Sequence, residues 1–210
     1  MYPSDLLHDV IRYGLVVSAL LLALVCYGYG RGGAGRGYLW LSAAFMLDGL
    51  RHLLMIFLPP SMPLTLYVQF DLLARAFLLF SGVRLLGGGV LPATLRWLLP
   101  VVLGWLVWSH VFQQGESPWR DLPGTILLCS AYVLLAMFFW RERDRNQPLG
   151  FFLAATGALL LAVLCLAQPL ARQSYWGVWH FSSFQMLYLT ISGGLIMALY
   201  QSERLRADFA

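Results

Sequence analysis

Lysine is absent from this chain: all 14 basic residues are arginine. That absence removes the amine needed for a retinal Schiff base and for other lysine-based covalent chemistry. It also removes the phosphate-loop lysine, so the run Gly32, Gly33, Ala34, Gly35 is no nucleotide cradle. Charge of either sign is scarce, at 11% of 210 residues, where a soluble domain carries about 25%. Long polar stretches are missing too, which leaves no room for a soluble catalytic domain between the apolar runs. Cysteine is limited to Cys26, Cys129 and Cys165, each inside an apolar run and none at metal-ligand spacing. They read as small buried hydrophobes. The first apolar run has no basic leader or small-residue cleavage site, so it reads as a membrane span and not as a signal peptide.

Apolar residues are abundant, at 60%. They fall into runs over residues 9–29, 38–58, 63–85, 95–112, 118–140, 148–168 and 176–200. Each is near the ~20 residues that cross a bilayer core as a helix. Backbone polar groups cannot be left open in lipid, so the expected fold is all-α, an integral membrane bundle of seven transmembrane helices. Arg31, Arg36, Arg84, Arg96, Arg141, Arg143, Arg145, Arg204 and Arg206 fall on one side of these spans, against Arg12, Arg120 and Arg172 on the other. The positive-inside rule makes the richer side cytoplasmic and places the N-terminus outside and the C-terminus inside. The net charge of +4 is thereby explained by the membrane, and no nucleic acid is expected. Trp40, Trp97, Trp119, Trp140 and Trp176 lie near the span ends, where aromatic belts form.

Residues 1–200 form the expected transmembrane domain. Residues 201–210 read as the start of a cytoplasmic signalling helix, because the last span continues past Tyr200 without a helix breaker. Ala198, Ser202, Leu205 and Phe209 begin a heptad, which predicts a homodimer through this helix and an output domain beyond residue 210.

Four full charges interrupt the apolar runs: Asp48 and Arg51 in the second, Asp71 and Arg75 in the third. Each costs about 2.5–3.5 kcal/mol at the bilayer centre, so each needs a partner. The two spans form a hairpin around the prolines at 59, 60 and 63, in which residues at one depth have a constant index sum. On that basis Asp48 is level with Arg75 and Arg51 with Asp71, predicting two ion pairs. His52 extends the stripe and Gln69 lies near its depth. The stripe fixes the hairpin's register, floors a polar pocket, or does both.

His8, His52, His110 and His180 all lie toward the outer ends of their spans. Around His180 the last span carries Trp179, Phe181, Phe184, Gln185 and Tyr188. Together with Tyr67, Gln69, Phe70, Asp71, Arg51 and His52, this gives convergent polar groups in an aromatic wall. Such a pocket suits a small amphipathic or anionic ligand, with Arg51 as its fixed positive charge. An aromatic belt with interfacial histidines is the plainer reading. No cofactor is expected. The alternative is haem or a metal ion held by His52 and His180. Small residues at Gly150, Ala154 and Ala158, and at Ser192, Gly193, Gly194 and Ala198, predict close helix packing.

With seven short-looped spans, an external N-terminus and a last helix running through Tyr200, Gln201, Ser202, Glu203, Arg204, Leu205 and Arg206, the chain resembles the membrane-embedded input domains at the N-termini of bacterial signalling proteins. Those include sensor histidine kinases and diguanylate cyclases. The resemblance implies a non-enzymatic sensor in the bacterial inner membrane, with any catalysis in a later domain. The Met-His-Tyr-Thr signature of one such group is absent, as is the Asp-Arg-Tyr of animal receptors, where the third span ends Phe80, Ser81, Gly82, Val83, Arg84. The Pro-Gln turn of sugar carriers built as three-plus-one-plus-three helices is also missing, since Gln168 precedes Pro169. A small transporter or proton-linked carrier is the alternative function.

Overall fold

The computed structural model describes residues 3–32, 36–57, 64–86, 104, 122–145, 148–171 and 177–208. All the elements it describes are α-helices: α1 (Pro3–Arg31), α2 (Arg36–Phe57), α3 (Leu64–Leu86), α4 (Leu122–Arg145), α5 (Pro148–Ala171) and α6 (Gly177–Asp208). Pro3 and Pro148 open their helices, where the missing N–H is no loss. The 22 to 32 residues of these helices correspond to lengths of about 33–48 Å. The span expected over residues 95–112 lies outside the described residues, apart from helical Gly104. α6 is unbroken through Asp208, past the end of the apolar run.

The helices close into a ring in chain order, with α6 packed back on α1. Their directions follow from individual contacts. A Cβ built on Gly30 would meet Leu39, and one on Gly37 would meet Leu85. The C-terminal ends of α1 and α3 and the N-terminal end of α2 therefore share one end of the bundle. Arg141 of α4 donates from Nη1 to the carbonyl of Leu86 (2.8 Å) and from Nη2 to that of Leu85 (2.9 Å). It thereby caps the open carbonyls and the negative dipole end of α3. The C-termini of α3 and α4 are thus together, and these neighbours run parallel. α1 and α6 are parallel as well: Gly14 packs on Gln185, and the Tyr29 hydroxyl donates to the carbonyl of Leu195 (2.7 Å).

Two kinds of packing hold the ring. At the end shared by the arginines, Tyr29 stacks on Tyr38 (5.0 Å between centroids), Tyr38 meets Phe138 edge-on (5.7 Å), and Phe139 stacks on Phe151 (6.2 Å). Between α5 and α6 the contact is backbone on backbone. A Cβ on Gly150 would come within 2.5 Å of the Gly194 carbonyl, and one on Gly194 within 2.6 Å of the Gly150 carbonyl. This is the close approach the small residues imply. Ala198, the first heptad position, is buried in that same contact, so it is occupied within the chain.

Apolar side chains fill the interior of the bundle and cover much of its outer surface as well. Val17 and Leu24 on α1, Met137 on α4, Val163 on α5 and Met186 on α6 project outward, each more than half exposed. His52, Asp71 and Arg75 are buried. A soluble bundle puts its apolar stripe inside; this one turns an apolar surface outward on every side. Three helices contain segments long and apolar enough to cross a membrane, Val10–Arg31, Thr125–Arg143 and Leu149–Ala167.

Candidate functional site

The four charges meet inside the ring. Arg51 on α2 bonds from Nη1 to Oδ1 of Asp71 on α3, and from Nη2 to Oδ1 of Asp48 one turn earlier (2.8 Å). Asp71 gives its second oxygen to Nη2 of Arg75 (2.7 Å). Asp71 thus bridges two guanidiniums, and Arg51 bridges two carboxylates. The fully ionised network sums to zero charge, which a low-dielectric interior requires. The expected Asp48–Arg75 pair is not formed. Equal index sums fix depth but not direction around the helix axis. Asp48, three residues before Arg51, lies on the same face and is claimed by it, while Arg75 is claimed by Asp71 within its own helix. The Nε of Arg75 is buried without an acceptor.

His52 completes the α2 side. Its Nε2 lies 2.8 Å from Nη2 of Arg51 and 3.8 Å from Asp48. A guanidinium has only donors, so the imidazole accepts at Nε2 and carries its proton on Nδ1. Among the described residues, no group of three or more His, Cys, Asp or Glu gathers as a metal site.

From Asp48 the network extends beyond the first three helices. The Tyr188 hydroxyl of α6 donates to Oδ2 of Asp48 (3.0 Å), and the Tyr132 hydroxyl of α4 lies 3.0 Å from that of Tyr188. Because Tyr188 spends its proton on the carboxylate, Tyr132 is the donor to Tyr188. Phe45 and Phe184 both meet the Tyr188 ring edge-on, at 5.3 and 6.1 Å. Tyr188, expected in a ligand wall, is instead 3% exposed and fully committed. Tyr132 was not anticipated. The available signal was a hydroxyl inside the apolar stretch Leu127–Phe139, which must find a partner when buried.

The other expected site residues divide. Gln185 is half-buried, its amide against Gly14, where a Cβ would come within 2.7 Å of Cδ. Phe184 is half-buried beside Tyr188. The side chains of Gln69, Trp179 and His180 lie outside the described residues, as do those of Tyr67, Phe70 and Phe181. Arg51, expected as a ligand's fixed positive charge, is already neutralised by Asp48 and Asp71. An anion that takes the place of either contact displaces a carboxylate.

Comparison with protein-family models, with curated proteins and with solved structures returns no match for this chain.

Proposed function

We propose that the chain is a sensory input domain embedded in the bacterial cytoplasmic membrane. In this reading seven helices span the bilayer, with the N-terminus outside. A small anionic or amphipathic ligand enters from the periplasmic side or the outer leaflet, and the signal leaves through α6. Two observations support the topology. α3 and α4 are parallel, so the chain between residues 86 and 122 returns from one end of the bundle to the other. The arginines at positions 31, 36, 84, 141, 143 and 145 all fall at the end holding the C-termini of α3 and α4.

The Tyr188–Asp48 hydrogen bond carries the functional reading, since it ties the buried charge network to the helix that continues through Asp208. An anion taking the place of Asp48 on Arg51 turns that carboxylate away and releases Tyr188. α6 is then free to shift or rotate. Ligand energy reaches the output only through this difference between two states. On the cytoplasmic side, Ser202, Leu205 and Phe209 meet the same seam of a second copy, giving a homodimer. This reading assigns the ligand's entry to Gln69, Trp179, His180, Phe184 and Gln185, next to Arg51, His52 and Asp71 in function.

The test fuses the chain to a dimer-dependent reporter and replaces Arg51, His52, His180 and Tyr188 one at a time, the first three by Ala and the last by Phe. Altered output at unchanged expression is expected for Arg51→Ala and Tyr188→Phe. Unaltered output in all four would leave the network as a device for helix register.

One observation favours a carrier instead. α1–α2–α3 and α4–α5–α6 repeat the same pattern of directions and meet along two parallel seams, with Asp48, Tyr132 and Tyr188 between them. Carriers bind substrate at such repeat interfaces. Uptake of a labelled solute into vesicles holding the purified chain, abolished by Asp48→Asn, would decide for transport.

A further inference from the structure

The three-helix units α1–α2–α3 and α4–α5–α6 repeat more than their directions. Each opens its second helix with a glycine followed by an aromatic ring, Gly37 and Tyr38 in α2, Gly150 and Phe151 in α5, and all four are buried. The burial rhythm then matches turn by turn, at positions 41, 42, 44 and 45 of α2 and at 154, 155, 157 and 158 of α5. In the same register His52 of α2 corresponds to Cys165 of α5, and both are buried. Cys165 thus belongs to the layer of the charge network, close enough for Arg75 and Asp48 to act on it electrostatically. The seams between the units match as well. In one, Tyr29 of α1 donates to the carbonyl of Leu195 in α6, and in the other Arg141 of α4 donates to that of Leu85 in α3.

Both seam bonds lie at the arginine-bearing end, and a layer of rings fills the interior beside them. Tyr29 stacks on Tyr38 (5.0 Å), Tyr38 meets Phe138 (5.7 Å) and Phe138 meets Phe139 (5.5 Å). Phe139 stacks on Phe151 (6.2 Å), and Phe151 returns to Tyr29 (6.5 Å). The five rings form a closed circuit, none of them more than 7% exposed. Two of its links, Tyr38 to Phe138 and Phe151 to Tyr29, cross from one unit to the other. The guanidinium of Arg141 backs the Phe138 ring (5.6 Å). The charge network lies deeper along the same helices, about 10–15 Å from the rings by helix rise.

We infer that Tyr29, Tyr38, Phe138, Phe139 and Phe151 form a gate, shut in this structure, between the arginine-bearing end and the buried charge network. It sits where two repeated units meet, the place at which carriers built from repeats switch access. The inference rests on the reading of the network as a ligand's site and adds the control of access to it. While the circuit is closed, a solute at Asp48 and Arg51 has no way to the arginine-bearing end. Rocking the units apart there parts Tyr38 from Phe138 and Phe151 from Tyr29, and opens that way.

The reporter is the thiol of Cys165. The full chain carrying Cys26→Ala and Cys129→Ala keeps Cys165 as its one cysteine. It is placed in vesicles of each orientation and treated with an impermeant charged methanethiosulfonate. Labelling from the arginine-bearing face is expected to be slow. Phe138→Ala and Tyr38→Leu should each raise it about tenfold or more, with labelling from the opposite face unchanged. Leu22→Ala, which removes a buried side chain of α1 outside the circuit, should leave both faces as they were. Fast labelling of the parent chain from the arginine-bearing face overturns the gate. Continued protection in both ring variants does so too, since the rings would then be core packing alone. An equal rise from both faces, or an equal rise with Leu22→Ala, would mark general loosening and also overturn it. Sided labelling with the reporter output of the previous proposal unmoved would sink the ligand reading and leave the barrier standing.

Discussion

Asp71 is the residue whose neutralisation should do most damage, more than Asp48 in the same network. Asp71 serves Arg51 through Oδ1 and Arg75 through Oδ2. Asp71→Asn leaves two buried guanidiniums facing one carboxylate, Asp48. Arg75 loses its partner among the described side chains, and an uncompensated buried charge costs about 3–5 kcal/mol. Asp48→Asn is milder. It leaves the same charge imbalance, but Arg51 and Arg75 both keep Asp71, and the losses are the Arg51–Asp48 ion pair and the charge assistance of the bond from Tyr188, the latter worth roughly 1.5–3 kcal/mol. The expected order of stability in detergent melts is wild type, then Asp48→Asn, then Asp71→Asn.

The same wiring predicts which second change rescues Asp71→Asn. Adding Arg75→Gln returns the network to Asp48 and Arg51, a pair already in contact at 2.8 Å, with net charge zero. Most of the lost stability should return. Adding Arg51→Gln also gives net zero, but it leaves Asp48 and Arg75, which are not in contact, so less returns. Equal melting points for Asp71→Asn and Asp48→Asn would refute the bridging role. Better rescue by Arg51→Gln than by Arg75→Gln would restore the pairing expected from depth alone, Asp48 with Arg75.

Adjacent glycines on α6 should respond in opposite ways. Gly194→Ala drives a methyl into the Gly150 carbonyl at 2.6 Å, an overpacking that costs about 1–3 kcal/mol, whereas Gly193→Ala meets nothing within 4 Å and should gain up to about 1 kcal/mol from helix propensity. Thermal melts of the two variants check this, and similar values would place the α5–α6 crossing elsewhere. For topology, single cysteines at 143 and 116 in intact cells should react with an impermeant reagent only at 116. Labelling at 143 alone would invert the bundle.

Depth was legible in this sequence where direction around a helix was not. Constant index sums placed Asp48, Arg51, Asp71 and Arg75 in one layer because antiparallel helices rise at equal rates, and the structure brings all four together there. Which carboxylate each arginine takes depends on rotation about each helix axis, and a hairpin of two charged faces allows more than one answer. Arg51 has the length to span Asp48 and Asp71 together, so it left Arg75 to its own helix. Gly150 and Gly194 were legible for a different reason: a side chain too small to fill space implies that backbone fills it. Tyr132 and Tyr188 were hard to read because tyrosine at a span suits an interface, a lipid-facing belt or a buried bond equally well. Only the position of Asp48 across the ring selects the last of these. That selection makes a difference to function. An Asp48 paired with Arg75 would close the network within the α2–α3 hairpin and isolate it from the rest of the chain. An Asp48 whose second oxygen is left for Tyr188 connects the same charges to α6, the helix that extends through Asp208.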